Sequence, residues 1–117
     1  PTPLPPTPVP TVTPIAWTTA EDLVSVWKNG DRRQTFTERG TFLSSVPGEF
    51  GCAGRFWFEG NRLHTEDTTD KCCSAGWIGI YEVQGVPQDY FIFTLVSDQC
   101  VERKKFFRGT WEWVASP

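Results

Sequence analysis

The spacing of turn residues constrains this chain most. Asn29-Gly30-Asp31, Glu38-Arg39-Gly40, Pro47-Gly48, Glu59-Gly60-Asn61, a long stretch from Asp67 to Ala75, and Gly85 to Asp89 cut it into short segments. Gly, Asn, Asp and Pro recur there because tight turns need positive φ or a fixed φ. Between the turns apolar side chains alternate with polar ones, the period of a half-buried strand. Strands are expected at 23–28, 33–37, 41–46, 55–59, 62–66, 76–84, 90–97 and 106–114, and Trp57 to Leu63 is the clearest hairpin. One helical signal precedes them. In Thr18-Thr19-Ala20-Glu21-Asp22-Leu23 a Thr N-cap with an acid three residues on has the form of a capping box.

Eight short strands in sequential turns make an antiparallel meander. A flat meander leaves two unpaired edges, and closing it into a barrel removes both. The expected fold is therefore all-β, a single eight-stranded antiparallel up-and-down β-barrel with a short N-terminal helical turn. Parity within the strands assigns an inside. Phe56 and Phe58 share a face, as do Phe91, Phe93 and Leu95, and as do Phe107, Trp111 and Trp113. One bulge reverses such a parity, so the set carries more weight than any member. The candidate ligand-binding residues on the inner wall are Phe42, Phe56, Phe58, Tyr81, Phe91, Phe93 and Trp111.

The 117 residues suffice for one domain. Residues 1–14 hold seven of the ten prolines and no charge, which makes them a Pro/Thr-rich linker or stalk of polyproline-II character. The barrel is assigned to 15–117. Because the chain opens on Pro1 without an initiator Met, it reads as mature or trimmed, and any membrane attachment would run through a removed or unseen N-terminal anchor. A net charge of −3 argues against nucleic acid as a partner. The basic run Arg103, Lys104, Lys105 and Arg108 is flanked by Asp98 and Glu102 and reads as a solvated strand edge.

Cys52, Cys72, Cys73 and Cys100 are spaced C-x19-C-C-x26-C, which is no zinc pattern, and His64 is the only histidine. Disulfides are expected, hence an oxidising compartment. A bond between the adjacent Cys72 and Cys73 would be strained. Cys52 and Cys100 are each left to pair with one member of the doublet, in either order. Oxidised cysteines supply no thiolate for a Cys–His dyad. No pair of acids is spaced for acid–base work. Glu66, Asp67 and Asp70 crowd one loop without an EF-hand pattern, and a solvated acidic loop is preferred to a Ca²⁺ site. The glycines sit singly at turns, with no phosphate-cradling loop. An enzyme is not expected, and neither a metal nor a cofactor is called for.

Several short motifs resemble the lipocalin and wider calycin group, whose hallmark is G-x-W on the first strand after a short helical turn. Ser25-Val26-Trp27 stands in that place, with Ser for Gly. Leu23 to Trp27, Phe36 to Gly40-Thr41, Gly79 to Tyr81, Asp98-x-Cys100-x-x-Arg103, and Gly109-Thr110-Trp111 are similar to small lipocalin-like domains of bacterial surface lipoproteins. The resemblance spans about residues 20 to 114. It implies that Trp27 plugs one barrel end with a basic residue, Arg103 or Arg108, packed over its ring. It also implies a secreted or cell-surface protein, lipid-anchored through what precedes the stalk.

Two classes of function follow. In the first, a monomeric barrel holds a small apolar or amphipathic molecule between aromatic walls, a role suited by the 15% aromatic content. In the second, the same rings fill the barrel and its outside binds a protein or carbohydrate. Bacterial metalloprotease inhibitors are barrels of this kind, with an N-terminal arm, though a Pro-rich arm resists the β-pairing such an arm makes. An interior cavity of about 300 Å³ or more, open at one end, favours the first class.

Overall fold

The computed structural model describes residues 12–48, 51–69 and 71–117. Most of the proline-rich segment, 1–11, lies outside the described residues, as does Asp70. The elements run β1 (Ile15–Ala16), α1 (Ala20–Leu23), β2 (Ser25–Asn29), β3 (Arg32–Phe36), β4 (Thr41–Ser45), β5 (Cys52–Glu59), β6 (Arg62–Asp67), β7 (Ile78–Val86), β8 (Tyr90–Ser97), α2 (Val101–Phe106) and β9 (Thr110–Ala115). Strands β2 to β9 form a closed, all-antiparallel, eight-stranded barrel. Each strand pairs with the next in sequence, and the first and last, β2 and β9, pair to close it. The extra strand β1 pairs with β7 at Ile15↔Gly85 and Ala16↔Gln84, beyond Glu82, where the β6 ladder has ended.

Every connection follows from its turn chemistry except one. Gly30, Gly40, Gly48 and Gly60 take positive φ at the expected breaks, and Gly76 takes it where a strand is expected to begin. Because Gly76 does so, β7 starts at Ile78 and not at residue 76. The exception is the segment expected as a strand over 106–114. Residues 101–106 are helical, and β9 begins only at Thr110. The helix starts on an unusual cap, in which the Cys100 sulfur accepts a hydrogen bond from the Arg103 amide. The basic run is thus no strand edge. At α1 the capping box is absent: the Thr19 hydroxyl donates to Asp22 Oδ2 at 3.3 Å and caps no backbone amide.

The two helices mark the two ends of the barrel. α1 leads into β2 at the end that also carries the 36–41, 59–62 and 86–90 connections. α2 lies at the other end, with the 45–52 and 67–78 connections and both disulfides. The α1 half is packed solid. Trp27 meets Phe91 edge-on at 4.7 Å, Trp17 lies 5.7 Å from Trp27, and all three rings are fully buried. The Trp27 indole donates to Leu23 O at 2.8 Å, which ties the barrel wall to α1. Ser25 occupies the glycine place of the G-x-W pattern, and its hydroxyl accepts from the Trp113 indole at 3.1 Å.

No arginine covers Trp27 as expected. Arg108 is exposed, and Arg103 is buried in an ion-pair cluster at the opposite end. The guanidinium over an inner-wall indole is that of Arg32, 5.4 Å from the Trp111 ring and 5.6 Å from Phe106. The basic partner therefore comes from β3. Arg32 is held there by donating to the carbonyls of Lys105, Phe106 and Arg108 around the end of α2.

Trp17 precedes the first barrel strand, yet it is fully buried, and its amide donates to Val83 O at 2.8 Å. Trp17→Ala should therefore cost about 3–5 kcal/mol, the range for deleting a packed core aromatic. Urea unfolding of the two proteins measures this. A loss under about 1 kcal/mol would mean that Trp17 is not part of the core.

Candidate functional site

The α2 end is built around one buried arginine. Arg103 projects from the first turn of α2, and its side chain is only 3% exposed. Its Nε and Nη2 donate to the two oxygens of Asp98 at 2.7 and 2.8 Å, a bidentate pairing. Nη2 also donates to Trp77 O at 3.0 Å, and Nη1 donates to Asp67 Oδ1 at 3.0 Å. Strand parity explains how Asp67 comes to be there. On β6, Glu66 points outward to its ion pair with Arg55 at 2.9 Å, and the next residue points in. Asp67 is therefore no member of a solvated acidic loop. Gly79 makes room for the cluster, because a Cβ there would stand 2.5 Å from Asp98 Oδ2 and 2.7 Å from Arg103 Nε.

The two carboxylates are used differently. Asp98 also accepts from the Tyr81 hydroxyl and from the Cys100 amide, so both its oxygens are fully engaged. Burial pushes its pKa up, but hydrogen bonds from Arg103, Tyr81 and Cys100 outweigh that and hold it below the ordinary value. For Asp67 burial wins. Arg103, with a smaller contribution from the Cys73 amide, only partly offsets it, and the pKa is raised. Oδ2 of Asp67 has no hydrogen-bond partner among the described residues.

A cavity of about 310 Å³ opens beside this cluster. Phe42, Ser44, Ser45 and Val46 form one side, and Phe106 and Phe107 at the end of α2 form another. The Cys52–Cys72 disulfide, Cys73, Asp67, Lys71, Glu102 and Arg103 complete it. Gly54 lets the Phe42 ring lie flat on β5, since a Cβ there would meet that ring at 2.7 Å. Gln34 faces Ser44 across the β3–β4 ladder. It is wholly buried, and neither end of its carboxamide has a partner among the described residues. Buried polar groups are normally satisfied; of the Asp67 and Gln34 side chains, Asp67 lines the cavity, whereas Gln34, opposite Trp27 at mid-barrel, does not.

A second cavity of similar size lies across α2. It arises because β9 pairs with β8 only as far as Ile92, and the remaining gap is filled by Phe107 stacked 4.3 Å from Phe93. Tyr81, Phe93, Leu95 and Val101 line it under a rim of Lys104, Lys105 and Arg108.

The expected inner-wall residues are thus divided. Phe42 lines the first cavity, and Tyr81 and Phe93 line the second. Phe56, Phe91 and Trp111 are buried core, and Phe58 packs against that core; these four line neither cavity. The pairing of the cysteines is Cys52–Cys72 and Cys73–Cys100, with no free thiol among the described residues. Two disulfides indicate an oxidising, extracellular-type environment. Asp67, Ser44, Phe106 and Phe107 were missed as site residues. The available signal for Asp67 was its inward parity one step after Glu66. Comparison with protein-family models, with curated proteins and with solved structures finds no match for the chain.

The unequal use of the two aspartates gives opposite signs for their substitution. Asp98 is held low in the fold, so its stabilisation is full above the ordinary carboxylate range and is lost as pH falls through its folded pKa. Asp67 is raised, so ionising it costs stability, and that cost grows as pH rises through its folded pKa. At pH 7 Asp98→Asn should cost about 3–5 kcal/mol by uncovering a buried guanidinium. Asp67→Asn, which keeps an acceptor for Arg103, should stay within about 1 kcal/mol of the parent. Equal losses in urea unfolding would contradict this assignment.

Proposed function

We propose that this domain is a binding module, not an enzyme, which holds a small amphipathic molecule in the cavity at the α2 end of its barrel. The observation that carries the reading is the cavity itself. Its volume of about 310 Å³ reaches the lower limit of small-molecule sites, Phe42, Phe106 and Phe107 give it an apolar face, and the buried Ser44, Asp67 and Arg103 converge on it. The molecule sits at the mouth, because the aromatic rings deeper in the barrel pack against one another. In this proposal the domain is a secreted or surface-tethered relative of the lipocalins. The Pro/Thr-rich segment serves as its stalk, and the two disulfides, each worth about 3 kcal/mol on the chain-entropy model, keep the mouth in shape outside the cell.

A second reading, binding of a protein or carbohydrate by the outer surface, draws support from one observation. Trp77, Ile78, Leu95, Val96 and Val101 are all exposed at the α2 end, where β7 starts and β8 finishes.

Prodan, a neutral naphthalene whose emission shifts blue in apolar surroundings, separates the two. The cavity reading predicts saturable binding at one site per chain. Ser45→Trp, at the cavity wall, should weaken it at least tenfold without lowering the melting temperature. Non-saturable binding, or binding indifferent to Ser45→Trp, would overturn the cavity reading in favour of the outer surface.

A further inference from the structure

The charges around the cavity floor do not balance, and the imbalance points to a ligand class. Arg103, Asp98 and Asp67 form a buried cluster of one cation and two anions, with side-chain exposures of 3%, 0% and 3%. Asp98 absorbs the guanidinium in a bidentate pairing and takes two further donors. Asp67 accepts from Arg103 on Oδ1 with a smaller contribution from the Cys73 amide, and its buried Oδ2 has no partner among the described residues. When both carboxylates are ionised the cluster carries one excess negative charge, and that charge is least satisfied at Asp67, a residue of the cavity lining whose Oδ2 is buried behind the wall. An unsatisfied buried carboxylate oxygen costs more than an unsatisfied neutral group and gains most from a cationic donor.

We propose that the cavity takes an amphiphile with a protonated amine head, its ammonium drawn to the Asp67 carboxylate and its apolar tail lying against Phe42, Phe106 and Phe107. The proposal rests on the cavity reading above and names the chemistry of its occupant. An alcohol head could at most donate to the same carboxylate without neutralising its charge, and would bind more weakly. A carboxylate head would meet like charge at Asp67 and Glu102. Its only attractions are Lys71 on the same wall and Arg103, whose Nε and Nη2 are engaged by Asp98 and Trp77 and whose Nη1 reaches Asp67. The other cavity differs in this respect, since its rim of Lys104, Lys105 and Arg108 is wholly basic.

Hexylammonium, hexanol and hexanoate carry the same tail with three heads and can each be titrated as competitors of prodan on the full chain at pH 7. The expected order is hexylammonium tightest, hexanol weaker, and hexanoate at least tenfold weaker than hexylammonium. Asp67→Asn should bring the ammonium-to-hexanoate ratio, each competitor read against the variant's own prodan affinity, to within about twofold of one, and its melting curve verifies that it folds. Hexanoate binding as tightly as hexylammonium to the parent protein would overturn the proposal whether or not the variant folds. So would an ammonium preference that survives in a folded Asp67→Asn protein. If prodan binds and Ser45→Trp blocks it, but the three heads compete equally, the amine assignment fails and the cavity reading stands. If neither prodan nor any competitor binds, both fail.

Discussion

The α2 end of this barrel depends on one buried arginine. Arg103 links α2 to the 67–78 connection through Trp77 O, to the end of β6 through Asp67, and to the segment after β8 through Asp98. Asp98 in turn holds Tyr81 of β7. Burying a guanidinium is costly, and the cost is recovered only when its donors are matched in number and direction. Here four guanidinium hydrogen bonds to three separate chain segments converge near the Cys73–Cys100 disulfide. The cross-link fixes where α2 starts, and the ion pairs fix how it lies. Phe107 is thereby pressed into the gap that β8 and β9 leave open.

This arrangement gives the barrel two unlike halves. Toward α1 the interior is filled by rings in edge-on and tilted contact, and the shape is set by close packing. From mid-barrel toward α2 the inner wall turns polar, with Gln34, Thr65, Ser44 and Asp67 all buried and inward. Polar walls cannot close on one another as rings do unless their hydrogen bonds are met, and those of Gln34 and Asp67 are left open among the described residues. A rigid aromatic floor below a polar, cross-linked mouth is a reasonable way to hold a small molecule without closing around it.

The barrel was legible in the sequence because period two and turn residues act locally. Each strand announces its own inside, and eight of them leave closure as the means of removing edges. What escaped notice depends on distant partners. The residues Val101 to Phe106 make less than two full turns and are capped by a disulfide sulfur, so no local signal marked them as helix. Arg103 stands in a run with Lys104 and Lys105, and what distinguishes it from a surface cation is the approach of Asp98, Trp77 and Asp67, the last 36 residues away. Likewise, β1 is two residues long and follows a proline-rich segment, and its place exists only because β7 outruns β6. The parity argument put seven aromatic residues on the inner wall but could not separate rings that fill the barrel from rings that face a space. That division is made by where α2 sits.

The central claim is that Arg103, Tyr81 and Cys100 satisfy Asp98 completely, while Asp67, a residue of the cavity lining, keeps one buried carboxylate oxygen without a partner among the described residues. Carbon-13 NMR of the side-chain carboxyls, followed through an acid titration of the native protein, reads both residues separately. The account predicts that Asp98 titrates below the ordinary carboxylate range and Asp67 above it. Two carboxyls titrating together at the ordinary value would contradict it.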